Sequence, residues 1–273
     1  MKHFTRRPDK AQMQFIFDFF VRQNELIERI VWTLTFAAQL VLLVVLVGRD
    51  RARRYPWFTT GIALLGLRLL AEVLLSGRMA KAPLELTIYT LADLAAIVGL
   101  LVLVEMAWQA FARVQRSILI VNTVGLLLVA GALLYFFMGP WPVWKQLATL
   151  DSTSVKLILM PLAAQKFELL GALLAVGLGL MVILFGRRFK AGWRSHTQSI
   201  VIGLFAMAVS LLALEVVVLR TYHFTPAEQA SVMRLRLSFA FAHELVYLAA
   251  LVWWIAWLWQ DEPGAANPEQ AAE

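Results

Sequence analysis

Five carboxylates fall inside apolar stretches of this chain, among them Glu72 in the run 55–77 and Glu215 in the run 200–219. Asp93 and Glu105 lie in the run 86–110, LTIYTLADLAAIVGLLVLVEMAWQA, and Glu244 lies in the run 237–260. Each run is long enough to cross a bilayer. An ionised side chain in a membrane span is costly unless it faces protein, water or a partner, so these positions are candidates for binding a proton, a cation or a small ligand. Asp93 has no basic residue at helical spacing on its own run. Tyr89, one turn earlier, can hydrogen-bond it, and its ionic partner is expected on another helix, with Arg68 as one choice. Arg68 and Glu72 are four residues apart and are expected to neutralise each other on one helix face. Glu105 is expected to reach Arg113 or the headgroups, and Glu215 to pair with Arg220 at the interface.

His243 and Glu244 are adjacent, so on a helix they point about 100° apart and form no pair by themselves. Tyr247 lies one turn beyond His243. The roles expected from these types are Asp93 and Glu244 as central acceptors, Arg68 and Glu72 tuning them, and His243 or Tyr247 relaying protons or holding ligand. Glu105 and Glu215 are secondary.

The same residues exclude much chemistry. There is no cysteine, so disulfides, thiolate metal sites and cysteine nucleophiles are absent. One histidine within a span is too few for bis-histidine haem or a histidine-rich metal site. No HExxH, GxSxG, Walker A or CxxC pattern occurs, and the last run has no lysine for a retinal Schiff base. No cofactor and no metal are expected. An intramembrane enzyme acting on lipid would need His243, His223 and a carboxylate to converge.

Composition fixes the class of the elements that carry these groups. The chain is 60% hydrophobic and 16% charged, with mean hydropathy +0.71. Soluble domains have roughly 45–50% apolar and about 25% charged residues. The apolar residues form seven blocks, at 30–48, 55–77, 86–110, 117–138, 169–186, 200–219 and 237–260, each a transmembrane candidate. The expectation is an all-α polytopic membrane protein with a seven-transmembrane-helix bundle. Residues 1–29 read as an amphipathic segment, with Phe15, Ile16, Phe19 and Phe20 on one face, lying in the interface or extending the first span. No signal peptide is expected there. The connector 139–168 opens on an aromatic stretch from Pro140 to Trp144 and carries a short surface helix at 155–162. The tail 261–273 is acidic and expected to be disordered.

The net charge of +7 comes from basic connectors, and is read as cytoplasmic retention and contact with anionic headgroups, with no nucleic acid partner. The densest clusters, at 49–54 and 187–194, place the amino terminus outside and the carboxyl tail in the cytoplasm of a bacterial inner membrane.

The first three and last three runs share a layout. Glu72-Val73 precedes Arg78, as Glu215-Val216 precedes Arg220. Asp93 precedes Gln109 by the same interval that separates Glu244 from Gln260. That layout points to a 3+1+3 parallel repeat, a known transporter design. It would set Glu72 opposite Glu215 and Asp93 opposite Glu244, four carboxylates around one centre.

The stretch Arg53-Arg54-Tyr55-Pro56-Trp57-Phe58 resembles a pattern in uncharacterised bacterial seven-span integral membrane proteins. The 3+1+3 layout is similar to that of SWEET-type transporters, without their Pro-Gln motifs. The resemblance implies an architecture and transfers no site. The function expected from the residues is non-enzymatic binding of a small molecule, proton or cation at a buried acidic centre, for transport or sensing. The alternative is a receptor-like or scaffold protein whose protein partner docks on the basic loops.

Overall fold

The computed structural model describes residues 10–111, 125, 128–131, 133, 151–189, 195–221 and 229–261. These residues are helical apart from short turns, with no strand among them. In chain order the helices are α1 (Lys10–Gly48), α2 (Arg51–Arg54), α3 (Pro56–Leu75), α4 (Lys81–Phe111), α5 (Ser152–Phe189), α6 (His196–Thr221) and α7 (Gln229–Trp259). Among the described residues six helices are long and apolar enough to cross a membrane: all but the one-turn α2.

The expected fourth span, 117–138, lies mostly outside the described residues; those described between 125 and 133 are helical. The aromatic stretch from Pro140 to Trp144, Arg113, His223, the side chain of Arg220 and the tail beyond Asp261 also lie outside them. The amino-terminal segment is continuous with the first span from Lys10 onward, while its aromatic face lies outside the described side chains. The expected surface helix at 155–162 is instead part of α5, which runs unbroken through Pro161. Lys156, Lys166 and Glu168 interrupt hydropathy there, not the helix. A proline within a packed membrane helix is tolerated because neighbours re-satisfy the freed backbone groups.

Cross-helix contacts fix the directions. Glu105 of α4 reaches the start of α3, while Gly61 faces Val98 and Val102, so α3 and α4 are antiparallel. Gly179 faces Phe205 and Gln165 meets Glu215, so α5 and α6 are antiparallel. Ser199 meets Trp254 and Ser210 meets His243, so α6 and α7 are antiparallel. Gln39 meets Tyr247 and Arg49 meets Asp261, so α1 and α7 are parallel. Gln109 near the end of α4 meets Thr197 at the start of α6, and Leu100 sits beside Gly171, so α4 and α5 are parallel neighbours.

The resulting order of neighbours is a closed ring: α1, α3, α4, α5, α6, α7 and back to α1. The main apolar core joins all six, with Leu42, Leu46, Phe58, Met106, Val182, Ile200, Leu251 and Trp254 buried together. The outer faces are apolar too. Val44, Val104, Leu184 and Trp108 are exposed there, the pattern of helices whose solvent is lipid.

Candidate functional site

One end of the ring is tied shut by polar contacts. α1, α4, α5 and α7 finish at this end, and α3 and α6 begin there. Asp50 takes a left-handed conformation, φ 54°, and turns the chain from α1 into α2. Pro56 opens α3 and brings no N–H, so the first donors of that helix are Trp57 and Phe58. Tyr55 gives no side-chain cap. Glu105 of α4 supplies it from outside: its carboxylate accepts the N–H of Phe58 at 3.0 Å and of Trp57 at 3.4 Å. A carboxylate at the positive end of a helix is favourably placed. The expected partner Arg113 lies outside the described residues.

One turn further along α4, Gln109 donates to the carbonyl of Arg54 at 2.7 Å and accepts from the Thr197 hydroxyl at 3.3 Å. Thr197 also meets the Tyr55 hydroxyl at 3.2 Å, and both are buried. Trp253 and Trp254 both donate to the carbonyl of Ser199. Above this layer Phe58 and Trp254 meet edge to face, with centroids 5.0 Å apart.

Beyond the aromatic pair lies a cavity of about 380 Å³, enclosed by α3, α4, α5, α6 and α7. It runs from Phe58 to Arg68 along α3 and from Trp254 to His243 along α7, which is roughly 15 Å at the rise of a helix. Near the closed end its wall is Phe58, Ile62, Val102, Leu103, Leu204 and Trp254. At the far end five polar side chains converge: Arg68, Glu168, His243, Glu244 and Tyr247. The small residues Gly99, Gly171, Ala172 and Ala175 leave the space between them.

Arg68 and Glu168 both line the cavity and form no ion pair with each other. The two come from helices that α4 separates in the ring. Arg68 makes no ion pair with Glu72, which is exposed; ion pairs join Arg49 to Asp261, Arg53 to Asp50 and Lys81 to Glu85. The expected intrahelical pair is therefore replaced by a facing charge on another helix.

His243 Nδ1 lies 2.7 Å from the Ser210 hydroxyl, and that hydroxyl donates its single hydrogen to the carbonyl of Met207. Ser210 can then only accept, which places the imidazole hydrogen on Nδ1 and leaves Nε2 a lone pair. Tyr247 accepts from Gln39 Nε2 at 2.7 Å, and Gln39 is buried. Tyr247 keeps its own hydrogen to donate.

The cavity thus gathers four of the expected residues: Arg68, His243, Glu244 and Tyr247. It does not gather Asp93, Glu72, Glu105 or Glu215. Asp93 is absent from the lining, and its Oδ1 is buried with no hydrogen-bond partner among the described residues. Glu215 accepts from Gln165 at 3.5 Å.

Glu168 is the residue the sequence reading missed. It was placed in a connector because Lys166 and Glu168 end the apolar window. The signal was present as spacing: Glu168, Gly171, Ala172 and Ala175 share one helical face. Among the described residues no three histidine or acidic side chains are grouped to hold a metal ion. No protein-family model matches the chain, and neither a curated protein nor a solved structure is similar to it.

Proposed function

We propose that this is a seven-span protein of a bacterial inner membrane that binds a small molecule in its central cavity, for transport or sensing, without chemistry on it. The observation that carries the reading is the convergence of Arg68, Glu168, His243, Glu244 and Tyr247 on one cavity inside a bundle with an apolar exterior. Charged groups between membrane helices are costly, and a ligand site is their usual reason.

The seventh span is the segment 117–138. Its support is that α4 and α5 are parallel neighbours, so the chain between Phe111 and Ser152 must return across the bundle. The 3+1+3 repeat draws on the same directions. α1, α3 and α4 alternate as α5, α6 and α7 do, and the two triplets meet through α4 with α5 and α7 with α1. The carboxyl end faces the cytoplasm in this reading, because the arginines at 49–54 gather at the closed end.

The test uses Gly99, which lines the cavity and where an added Cβ would meet nothing within 4 Å. Gly99→Phe puts a ring into the space. Purified wild type and variant are titrated with a panel of small metabolites while the unfolding midpoint is followed. A ligand of the folded state raises the midpoint. The expected result is a response in wild type that Gly99→Phe abolishes. An equal response in both proteins, or none in wild type, would sink the reading. The receptor-like alternative rests on the exposed Arg53 and Arg54 at the closed end. It predicts that Arg53→Ala disturbs function more than Gly99→Phe.

A further inference from the structure

The cavity is polar at one end and apolar at the other, and its facing charges do not touch. From this we infer that its ligand is a small zwitterion with an apolar body, in chemical terms an aromatic or branched α-amino acid. Its carboxylate would sit on Arg68 and its ammonium on Glu168. The inference rests on the ligand-binding reading above and names the ligand class of that same site.

Arg68 and Glu168 come from helices on either side of α4 and line the same cavity, yet form no ion pair with each other. The ion pairs Arg49–Asp261, Arg53–Asp50 and Lys81–Glu85 lie at helix ends and turns. Two opposite charges held apart on one cavity wall are best satisfied by a group carrying both complements. The guanidinium fork matches a carboxylate with two parallel N–H···O bonds. A lone amine would meet Glu168 and bring no group to Arg68, and a lone acid would do the reverse.

The rest of the ligand must be apolar. From the charged level toward Phe58 and Trp254, the wall is built from Ile62, Val102 and Leu103. A second charge on the body would lie against them with no partner, which is strongly unfavourable. The volume of about 380 Å³ is at the small end of the range for ligand pockets, roughly 300–1,000 Å³. That suits a molecule of amino-acid size. Tyr247 with its free hydrogen, and His243 with its Nε2 lone pair, sit at the level of the charged head and can complete its hydrogen bonds.

The experiment measures binding of four probes to the purified full chain: L-phenylalanine, phenethylamine, 3-phenylpropanoate and L-glutamate. L-Phenylalanine should bind, with the other three weaker by about tenfold or more. Arg68→Gln should abolish the preference for L-phenylalanine over phenethylamine. Glu168→Gln should abolish its preference over 3-phenylpropanoate. Should either variant fail to fold, the wild-type ranking of the probes alone decides. Phenethylamine or 3-phenylpropanoate binding as tightly as L-phenylalanine overturns the proposal. So does silence from all four probes while another panel member binds in a Gly99→Phe-sensitive way; the ligand-binding reading then survives. If no panel member binds, both fall.

Discussion

At the end where α1, α4, α5 and α7 finish, the polar side chains are spent on one another. Tyr55, Thr197, Gln109 and the Ser199 carbonyl link α3, α4, α6 and α7, and Trp254 lies buried above them. Roughly 15 Å along the bundle, Arg68, Glu168, His243, Glu244 and Tyr247 face a cavity instead. Both groups are polar residues among apolar helices. The first is satisfied within the protein and holds helices together. In the second, the Nε2 of His243 and the hydroxyl hydrogen of Tyr247 keep hydrogen-bonding capacity for something else. An intramembrane polar residue is therefore informative only once its partners are known.

The largest effect expected from this contrast is on stability. Trp254→Ala removes a buried ring, its edge-to-face contact with Phe58 and its bond to Ser199. It should destabilise by about 3–5 kcal/mol. Arg68→Met, at the other level, removes a charge that has no ion pair and substitutes an apolar stem of similar length. It should lower the unfolding midpoint far less than Trp254→Ala does, because no ion pair is broken. Thermal unfolding of both variants in one detergent decides it. A comparable loss in the two would erase the distinction between the ends.

The fold was legible in composition, because lipid as solvent demands long apolar helices, and all six that the structure describes fall on expected runs. The alternation of helix directions also followed from short connectors. The site was only half legible. His243, Glu244, Tyr247 and Arg68 stood out as polar groups within apolar runs, and they do line the cavity. Asp93 stood out in the same way and does not. Which face of a helix turns inward depends on neighbours in the ring, and α4 is apolar all round. Its small residues Ala95, Ala96 and Gly99, not its acid, mark the inner face. Glu168 was hidden by the opposite error: a charge near the edge of a hydropathy window reads as a loop, although Pro161 does not end the helix. Partner choice was the least legible level. Glu105 caps α3 through the N–H groups of Trp57 and Phe58, a contact between residues far apart in sequence.

That cap sharpens the comparison at an intermediate scale. Glu105→Ala leaves the first donors of α3 without their acceptor and should cost about 1–2 kcal/mol. Glu105→Gln keeps an acceptor oxygen and should recover part of that loss. Amide hydrogen exchange at Trp57 and Phe58 should quicken in the alanine variant, while ligand response at the cavity persists. Loss of the ligand response with unchanged exchange would move Glu105 from the closed end into the site.

The smallest effect expected is at the opposite end, where Asp151 makes contacts local to the start of α5. Asp151 precedes α5 and accepts from the Ser154 hydroxyl and from the N–H groups of Ser154 and Thr153, the latter two at 3.1 Å. The Ser154 hydroxyl first, and then these N–H groups, hold its carboxyl below the ordinary carboxylate range. A depressed folded-state value means that the carboxylate stabilises the fold at pH above the ordinary range, about 4. That stabilisation is lost as pH falls through the lowered value. The difference in unfolding midpoint between wild type and Asp151→Ala should therefore be positive and flat from neutral pH down to about 4, then shrink toward zero in stronger acid. Exchange should quicken at Thr153 and Ser154 in the variant and stay unchanged at Trp57 and Phe58. A difference that grows on acidification reverses the sign. Exchange that quickens at both ends would mean that they are coupled, and that the cavity between them transmits what happens at its mouth to the layer that closes it.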